Sequence, residues 1–361
     1  MKKITFVCKY LGKGGAERVM SILIRNFAER GWDVQLILLN QNIIEYPIPD
    51  CVSVRFLDWG VHRSVFQILK RLTELRNAVE GEIVISFLYS AIRDTTFSLM
   101  GSGKHVIISD RSDPSREPEG RIRQFIRNVS YYLPKTIVFQ TEEAKAFFPR
   151  AVQKKGIVIP NPVNSELPDA YQGKREEVVI AAGRLEEQKN FSLLLRAFAK
   201  FHEAFPAYIL RIYGRGQQED MLKALARELN IEEFVDFPGF VSDIYDKMNS
   251  AAMYVSSSDY EGISNSMLEA MAMGVPTICT DCPVGGARET IKDGENGILV
   301  PVGDEEALSA AMKAVASDPV FANRLSENSR RIREELSEKE IAGRWIRLAE
   351  GEKGYDQCKK K

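Results

Sequence analysis

The chain has 361 residues, 44% hydrophobic and 27% charged, with a formal net charge of −1. That length exceeds one ordinary core and points to two domains, while the composition excludes a disordered chain. No apolar run approaches the roughly 18–20 residues that cross a bilayer, which excludes a transmembrane helix. The charge is unevenly spread. Residues 1–160 hold 24 lysines and arginines against 16 acids, and the remainder 25 against 34. A basic half followed by an acidic half hints at an anionic surface or ligand beside the first.

The first ten residues, M-K-K-I-T-F-V-C-K-Y, carry an apolar stretch too short for a signal peptide. They predict a strand over 4–8, then a glycine-rich turn, L-G-K-G-G (11–15). Val19, Met20, Leu23 and Phe27 recur at helical spacing and Gly31 ends that helix. Further strands are predicted at 34–39, 82–88, 106–109 and 136–140. The second half repeats the plan, with strands at 177–183, 208–214, 235–239, 253–258 and 276–280. Helices are predicted at 192–201 and 220–229. Strand, turn and helix in repetition give an α/β class of βαβ units with parallel sheets. I-P-N-P-V-N-S-E-L-P (159–168) has linker composition. The boundaries are therefore 1–162, 163–338 and a C-terminal segment, 339–361. Ligands of such sheets bind beyond the carboxyl ends of strands, so two in tandem are expected to hold one in the cleft between them.

Three stretches carry chemistry. K-G-G-A-E-R (13–18) opens a helix after a strand, and Gly14-Gly15 would let a backbone approach an anion. A dinucleotide fingerprint needs glycine at 12, 14 and 17; position 17 is glutamate, which disfavours a nicotinamide dehydrogenase. G-R-L-E-E-Q-K-N (183–190) follows a strand, and Arg184 with Lys189 would neutralise a diphosphate unless they form a solvated surface pair. In D-Y-E-G-I-S-N-S-M-L-E-A-M-A-M-G (259–274), Ser264 or Asn265 suits a helix N-cap. Glu261 lies just outside that helix. Glu269, among Met267, Leu268, Ala270 and Met271, needs a partner: vicinal ribose hydroxyls, or a salt bridge on a half-exposed helix.

Other signals are weaker. Cys279-x-x-Cys282 resembles a redox or metal pair, yet no second cysteine or histidine cluster accompanies it. Cys8, Cys51 and Cys358 complete an odd, scattered set that suits a reducing cytoplasm. His62, His105 and His202 are isolated, and no D-x-D pair occurs, so no metal is expected. G-R-I-R-Q-F-I-R-N-V-S-Y-Y-L-P-K (120–135) carries four basic residues and no acid. Its stripe of Ile122, Phe125, Ile126, Val129, Tyr132 and Leu133 suits either anionic lipid or a packed helix with a basic solvent face.

E-G-I-S-N-S-M-L-E-A-M-A-M-G-V-P (261–276) resembles the E-G-x-P-N-x-L-L-E-A-M-A-x-G-x-P signature of glycosyltransferase family 4, a retaining family with the GT-B fold. Companion motifs follow in order: G-G-A-E-R, I-P-N-P-V-N, G-R-L-x-x-Q-K-N, Y-G-x-G (213–216), F-x-G-F-V (237–241), T-D-C-P-x-G-x-x-E (280–289, with one extra residue) and D-G-E-N-G-I-L-V-P-V-G-D (293–304). The resemblance implies two Rossmann-like domains facing each other across a cleft. The first would bind acceptor, the second donor, and a final helix with Ile341, Trp345 and Leu348 would cross back to the first.

It also implies roles. Glu261 would face the donor sugar, and Arg184 and Lys189 would hold the diphosphate and stabilise its charge as it leaves. Gly262, Ile263, Ser264 and Asn265 would contact sugar and phosphate, and Glu269 the ribose. Gly14, Gly15, Gly214 and Phe240 complete the expected donor-binding set. Ser264 stands where the signature has proline. I-S-D-R-S-D-P (108–114) occupies a loop where many members carry histidine, which makes Asp110 and Arg111 candidate acceptor- or sugar-facing groups.

The expected function is retaining transfer from a nucleotide sugar, a UDP-hexose or UDP-N-acetylhexosamine, to a saccharide acceptor linked to polyprenyl diphosphate. It would serve bacterial polysaccharide or glycan synthesis at the cytoplasmic membrane face, without metal or cofactor and without nucleic acid. An epimerase, an inverting GT-B enzyme and a non-catalytic nucleotide-sugar-binding subunit remain alternatives.

Overall fold

The computed structural model describes residues 2–60, 64–241 and 243–351; His62, Cys358 and the basic end at 359–361 lie outside them. The chain divides into two compact units, Met1–Pro162 with Glu338–Lys361, and Val163–Ser337.

Unit 1 runs β1 (Lys3–Cys8), α1 (Gly15–Glu29), β2 (Asp33–Leu38), β3 (Ser53–Phe56), α2 (Val65–Ala78), β4 (Ile83–Phe87), α3 (Tyr89–Ser98), β5 (His105–Ser109), α4 (Arg121–Tyr131), β6 (Thr136–Phe139), α5 (Glu142–Ala146), α6 (Arg150–Gln153) and β7 (Gly156–Val158). The strands pair in parallel in the order β3-β2-β1-β4-β5-β6-β7. The central ones are buried along nearly their whole length. That is why they read as unbroken apolar runs rather than alternating ones.

Unit 2 runs β8 (Glu176–Ala182), α7 (Phe191–His202), β9 (Ile209–Tyr213), α8 (Glu219–Glu228), β10 (Val235–Gly239), α9 (Ile244–Ser250), β11 (Ala251–Ser256), α10 (Asn265–Ala272), β12 (Thr277–Thr280), β13 (Ile298–Val300), α11 (Glu305–Ser317), α12 (Pro319–Ser329) and α13 (Ile332–Glu335). Its parallel order is β10-β9-β8-β11-β12-β13. Val179 and Ala181 of β8 enter a core with Leu194, Phe198 and Met312, while Val178 and Ile180 enter a second with Met267, Leu268 and Met271. Alternate side chains of one strand therefore feed cores on opposite faces. The order in which strands are added reverses at β1/β4 in unit 1 and at β8/β11 in unit 2, where an open parallel sheet leaves a ligand crevice.

The chain ends its described part in α14 (Glu338–Glu350), which belongs to unit 1. Ile341, Ala342 and Trp345 are fully buried there, with the Trp345 ring 5.5 Å from that of Phe87 and an ion pair between Arg25 and Glu338. Two Rossmann-like parallel sheets are thus present as expected. The sequence-based expectation lacked β3, β7 and β13, all of which lie at sheet edges.

Candidate functional site

The loops beyond β8, β9, β10, β11 and β12 meet at the carboxyl edge of unit 2. Gly183 N–H donates to Tyr213 O at 2.9 Å, Leu185 N–H to Arg215 O at 3.0 Å, and Gly214 N–H to Gly239 O at 2.9 Å. Gly214 has φ +140°, and a Cβ there would lie 1.8 Å from Gly183 O. Only glycine permits that approach, so this expected donor-binding residue first serves to bring two loops together. Phe240, directly after this contact, is exposed.

The 183–190 segment ends in a 3-10 turn at Glu187–Lys189, and Asn190 caps α7. It is tied to the loop after β11 by Asp259 N–H to Gln188 O at 2.9 Å, Gln188 Nε2 to Tyr260 O at 3.0 Å, and Asn190 Nδ2 to Asp259 Oδ1 at 2.7 Å. These ties deliver Lys189 to Glu261: Nζ and Oε2 form a largely buried ion pair, with Ser258 Oγ donating to the same carboxylate oxygen at 3.4 Å. Arg184 differs. It is solvent-exposed, bridging to Glu186 at 2.8 Å and Gln188 Oε1 at 3.3 Å. Of the two expected diphosphate ligands, the structure brings Lys189 to Glu261 and leaves Arg184 at the solvent side.

Ser264 is the N-cap of α10: its Oγ accepts from Met267 N–H at 3.5 Å and neighbours Ser266 Oγ at 3.1 Å, which in turn meets Tyr254 OH at 2.8 Å. A side-chain oxygen at the cap satisfies one of the first-turn N–H groups that proline would leave open. Asn265 is the first helical residue, and the Ile263 side chain packs into the core. Gly262 is pressed by Gly286, whose added Cβ would sit 1.8 Å from Gly262 O. Glu269 is 5% exposed, and Tyr245 OH donates to its Oε1 at 3.1 Å. A buried carboxylate thus meets a phenol here, so the helix face that carries it is not half-exposed. Tyr245, Asn164 and Gly286 were not among the expected site residues. Asn164 ends the I-P-N-P-V-N stretch and Gly286 lies in the glycine pair 285–286, while Tyr245 left no signal.

Cys279 and Cys282 are both buried near this pair, and burial pushes the Cys282 thiol up to about 12. Thiols so held stay protonated, which argues against a redox or metal pair. His105 pairs with Thr136 and His202 with Tyr208 O. Among the described residues no three His, Cys, Asp or Glu side chains gather to hold a metal.

The remaining candidates lie in unit 1. Gly14 is the N-cap of α1, and the Glu17 carboxylate folds back over it. Asp110 and Arg111 find partners inside unit 1. Asp110 accepts from Tyr131 OH at 3.0 Å and from Ser112 N–H and Oγ at 3.3 and 3.1 Å. Burial raises its carboxyl above the usual range, against these donors and Arg127. Arg111 Nη1 donates to Asn161 Oδ1 and Nε to Ser109 Oγ at 3.0 Å, with the guanidinium over the rings of Phe87 and Trp345. Burial lowers it to about 9.

Helix α4 is inverted relative to a packed amphipathic helix. Arg127, Ser130 and Tyr131 are buried, while Ile122 and Phe125 are 78% and 68% exposed and Val129, Tyr132 and Leu133 also face solvent. Arg127 explains the inversion: Nη1 donates to Pro114 O and to Glu117 O at 2.7 Å, and the guanidinium lies over Phe147 and Phe148. Among the described residues no helix is long and apolar enough to cross a membrane.

Known proteins share this architecture and much of this sequence. An Anabaena protein, HepE, solved in complex with UDP-glucose, superposes with a TM-score of 0.83 at 16% identity over 98% of this chain and all of its own. The chain is 27% identical to an uncharacterized glycosyltransferase of Haemophilus influenzae over 96% of its length and 99% of that protein's. It is 30% identical to N-acetylgalactosamine-N,N'-diacetylbacillosaminyl-diphospho-undecaprenol 4-alpha-N-acetylgalactosaminyltransferase of Campylobacter jejuni, over 88% of this chain and 91% of that one. Residues 166–332, most of unit 2, match the family model of the glycosyl transferases group 1. With identity at that level across nearly the full length, the chain belongs to the group 1 glycosyl transferases and has their GT-B fold.

Proposed function

We propose that this glycosyltransferase moves a hexose or N-acetylhexosamine from a UDP-sugar to a saccharide carried on polyprenyl diphosphate, retaining the donor's anomeric configuration as family 4 enzymes do. The observation that carries the donor half is the Lys189–Glu261 ion pair beside the capped start of α10, at the β8/β11 switch point. Support for the acceptor half comes from the Campylobacter relative, whose name specifies a diphospho-undecaprenol acceptor.

In this reading the α10 N-terminus and Lys189 hold the diphosphate, Arg184 swings in from solvent, Glu261 orients the sugar and Glu269 accepts from the ribose hydroxyls. The bond from the anomeric carbon to the diphosphate oxygen breaks as the acceptor oxygen attacks from the same face. The acceptor proton passes to the departing diphosphate. Fixed cations stabilise the charge that grows on the leaving group, the role a divalent ion plays elsewhere, so no metal is required. Activity is expected to persist in excess EDTA.

Unit 1 brings the enzyme to its acceptor. The outward apolar stripe of α4, flanked by Arg121 and Arg123, fits an anionic membrane at the cytoplasmic face. Incubating a panel of UDP-sugars with an undecaprenyl-diphosphate saccharide, and scoring lipid-linked product and its anomeric configuration, tests the whole reading. Transfer to soluble acceptors alone would contradict the acceptor half, and an inverted product the retaining half.

A further inference from the structure

We infer that Tyr245 is a positioning residue for the donor nucleotide: it aims and fixes the Glu269 carboxylate, and thereby makes the site select ribose over 2′-deoxyribose. The inference rests on the reading of Glu269 as the ribose ligand.

Glu269 sits on α10 between Leu268 and Ala270, both buried, and is itself 5% exposed. A carboxylate there is costly unless donors reach it. The donor that the structure supplies has only one possible direction. Glu166 N–H donates to Asn164 Oδ1 at 3.0 Å, which identifies the other end of that amide as the NH2 group. Asn164 Nδ2, a donor only, then meets the Tyr245 phenol oxygen at 3.0 Å. The phenol is the acceptor in that contact, and it donates its own proton to the Glu269 Oε1 atom 3.1 Å away. Each bond in the relay from Asn164 through Tyr245 to Glu269 is thus oriented towards the acid. A donor so aimed favours the ionised carboxylate and restricts its rotation.

The relay begins where the chain enters unit 2. Asn164 follows Val163, whose N–H donates to Leu336 O at 2.7 Å, so its backbone is anchored independently of the relay. The phenol stands on α9 and the acid on α10, two helices that flank β11 in sequence. The carboxylate is therefore held from a different element than its own. An aimed carboxylate gains most from two vicinal hydroxyls, and loses one bond when the 2′-hydroxyl is missing. A mobile carboxylate discriminates less, since part of each bond's value goes into ordering it.

The test is calorimetric titration of the full chain with UDP and with 2′-deoxy-UDP. Wild type is expected to prefer UDP. Tyr245→Phe removes only the hydroxyl and is expected to weaken UDP about tenfold, the size of one hydrogen bond to a charged group. Affinity for 2′-deoxy-UDP should change much less, so the preference shrinks. In turnover, KM for the UDP-sugar should rise with kcat nearly unchanged. Asn164→Asp is the second variant: its carboxylate would draw the phenol proton away from Glu269, and the same loss of preference is expected with Tyr245 intact. Equal weakening of both nucleotides by these variants, or no weakening, overturns the relay while Glu269→Gln still abolishes the preference. A preference that survives Glu269→Gln overturns the ribose reading itself, and the relay with it.

Discussion

Lys189 and Glu261 neutralise each other across two loops, and a diphosphate would compete with Glu261 for the same ammonium. On the proposed reading, Glu261→Ala therefore removes the acid that orients the sugar and also frees Lys189 for the phosphate. UDP affinity is expected to hold or rise while transfer falls by a thousandfold or so, the scale of losing one preorganised group at the reacting centre. Parallel loss of both would show that Glu261 only braces Lys189. Asp110 offers a different prediction. Its folded-state carboxyl lies above its ordinary value of 3.8, so between the two values the folded state binds more protons than the unfolded one. Stability contributed at this position therefore falls as pH rises through that window. Asp110→Asn has no such dependence. Its melting temperature should gain on wild type as pH rises from 3.8, whereas parallel curves would contradict the assignment. At this scale the sequence was legible where chemistry is local. Glu261, Ser264 and Glu269 share one stretch, and Lys189 another. Tyr245 and Asn164 lie 24 and 105 positions from Glu269, and neither residue type is unusual in its own segment, so only the fold reveals them. The partners of Arg111 were hidden likewise, because Phe87, Asn161 and Trp345 come from three distant segments.

Among elements, the sequence predicts every interior strand of both sheets and, of the edge strands, β10. The ones it misses are β3, exposed along its length, and the three-residue β7 and β13. Edge strands need no continuous apolar run, so period and hydropathy say little there. Helix α4 shows the converse limit. Its apolar stripe was plain, but which side faces the core depends on Arg127 finding Pro114 O and Glu117 O, a tertiary contact. Because Ile122 and Phe125 are exposed, replacing both with glutamate should leave the melting temperature within about a degree, as surface changes usually do. Binding to phosphatidylglycerol vesicles, measured by co-sedimentation, should fall at least tenfold, and unchanged binding would remove α4 from the membrane reading. The loop after β12 carries a further prediction. Gly286→Ala places a methyl against Gly262 O, and the forced shift should cost about 1–3 kcal/mol. UDP affinity should drop with it, since Gly262 leads into the α10 start; calorimetry and thermal melting check both.

For the molecule as a whole, length announced two domains and the charge counts a basic half and an acidic one. The structure divides the chain at 162/163, and returns α14 to unit 1 through Trp345, which is fully buried. Trp345→Ala should cost unit 1 about 3–5 kcal/mol. In scanning calorimetry it should lower one transition and leave the UDP-stabilised one in place, because ligand stabilises only what it binds. The most direct test of the central claim is transfer of labelled sugar from UDP-N-acetylhexosamines and UDP-hexoses to an undecaprenyl-diphosphate saccharide, in EDTA, by wild type and Glu261→Ala. The account predicts acceptor-dependent UDP release with lipid-linked product from at least one donor, and near-total loss in the variant. UDP release that ignores the acceptor, or a variant as active as wild type, would contradict it.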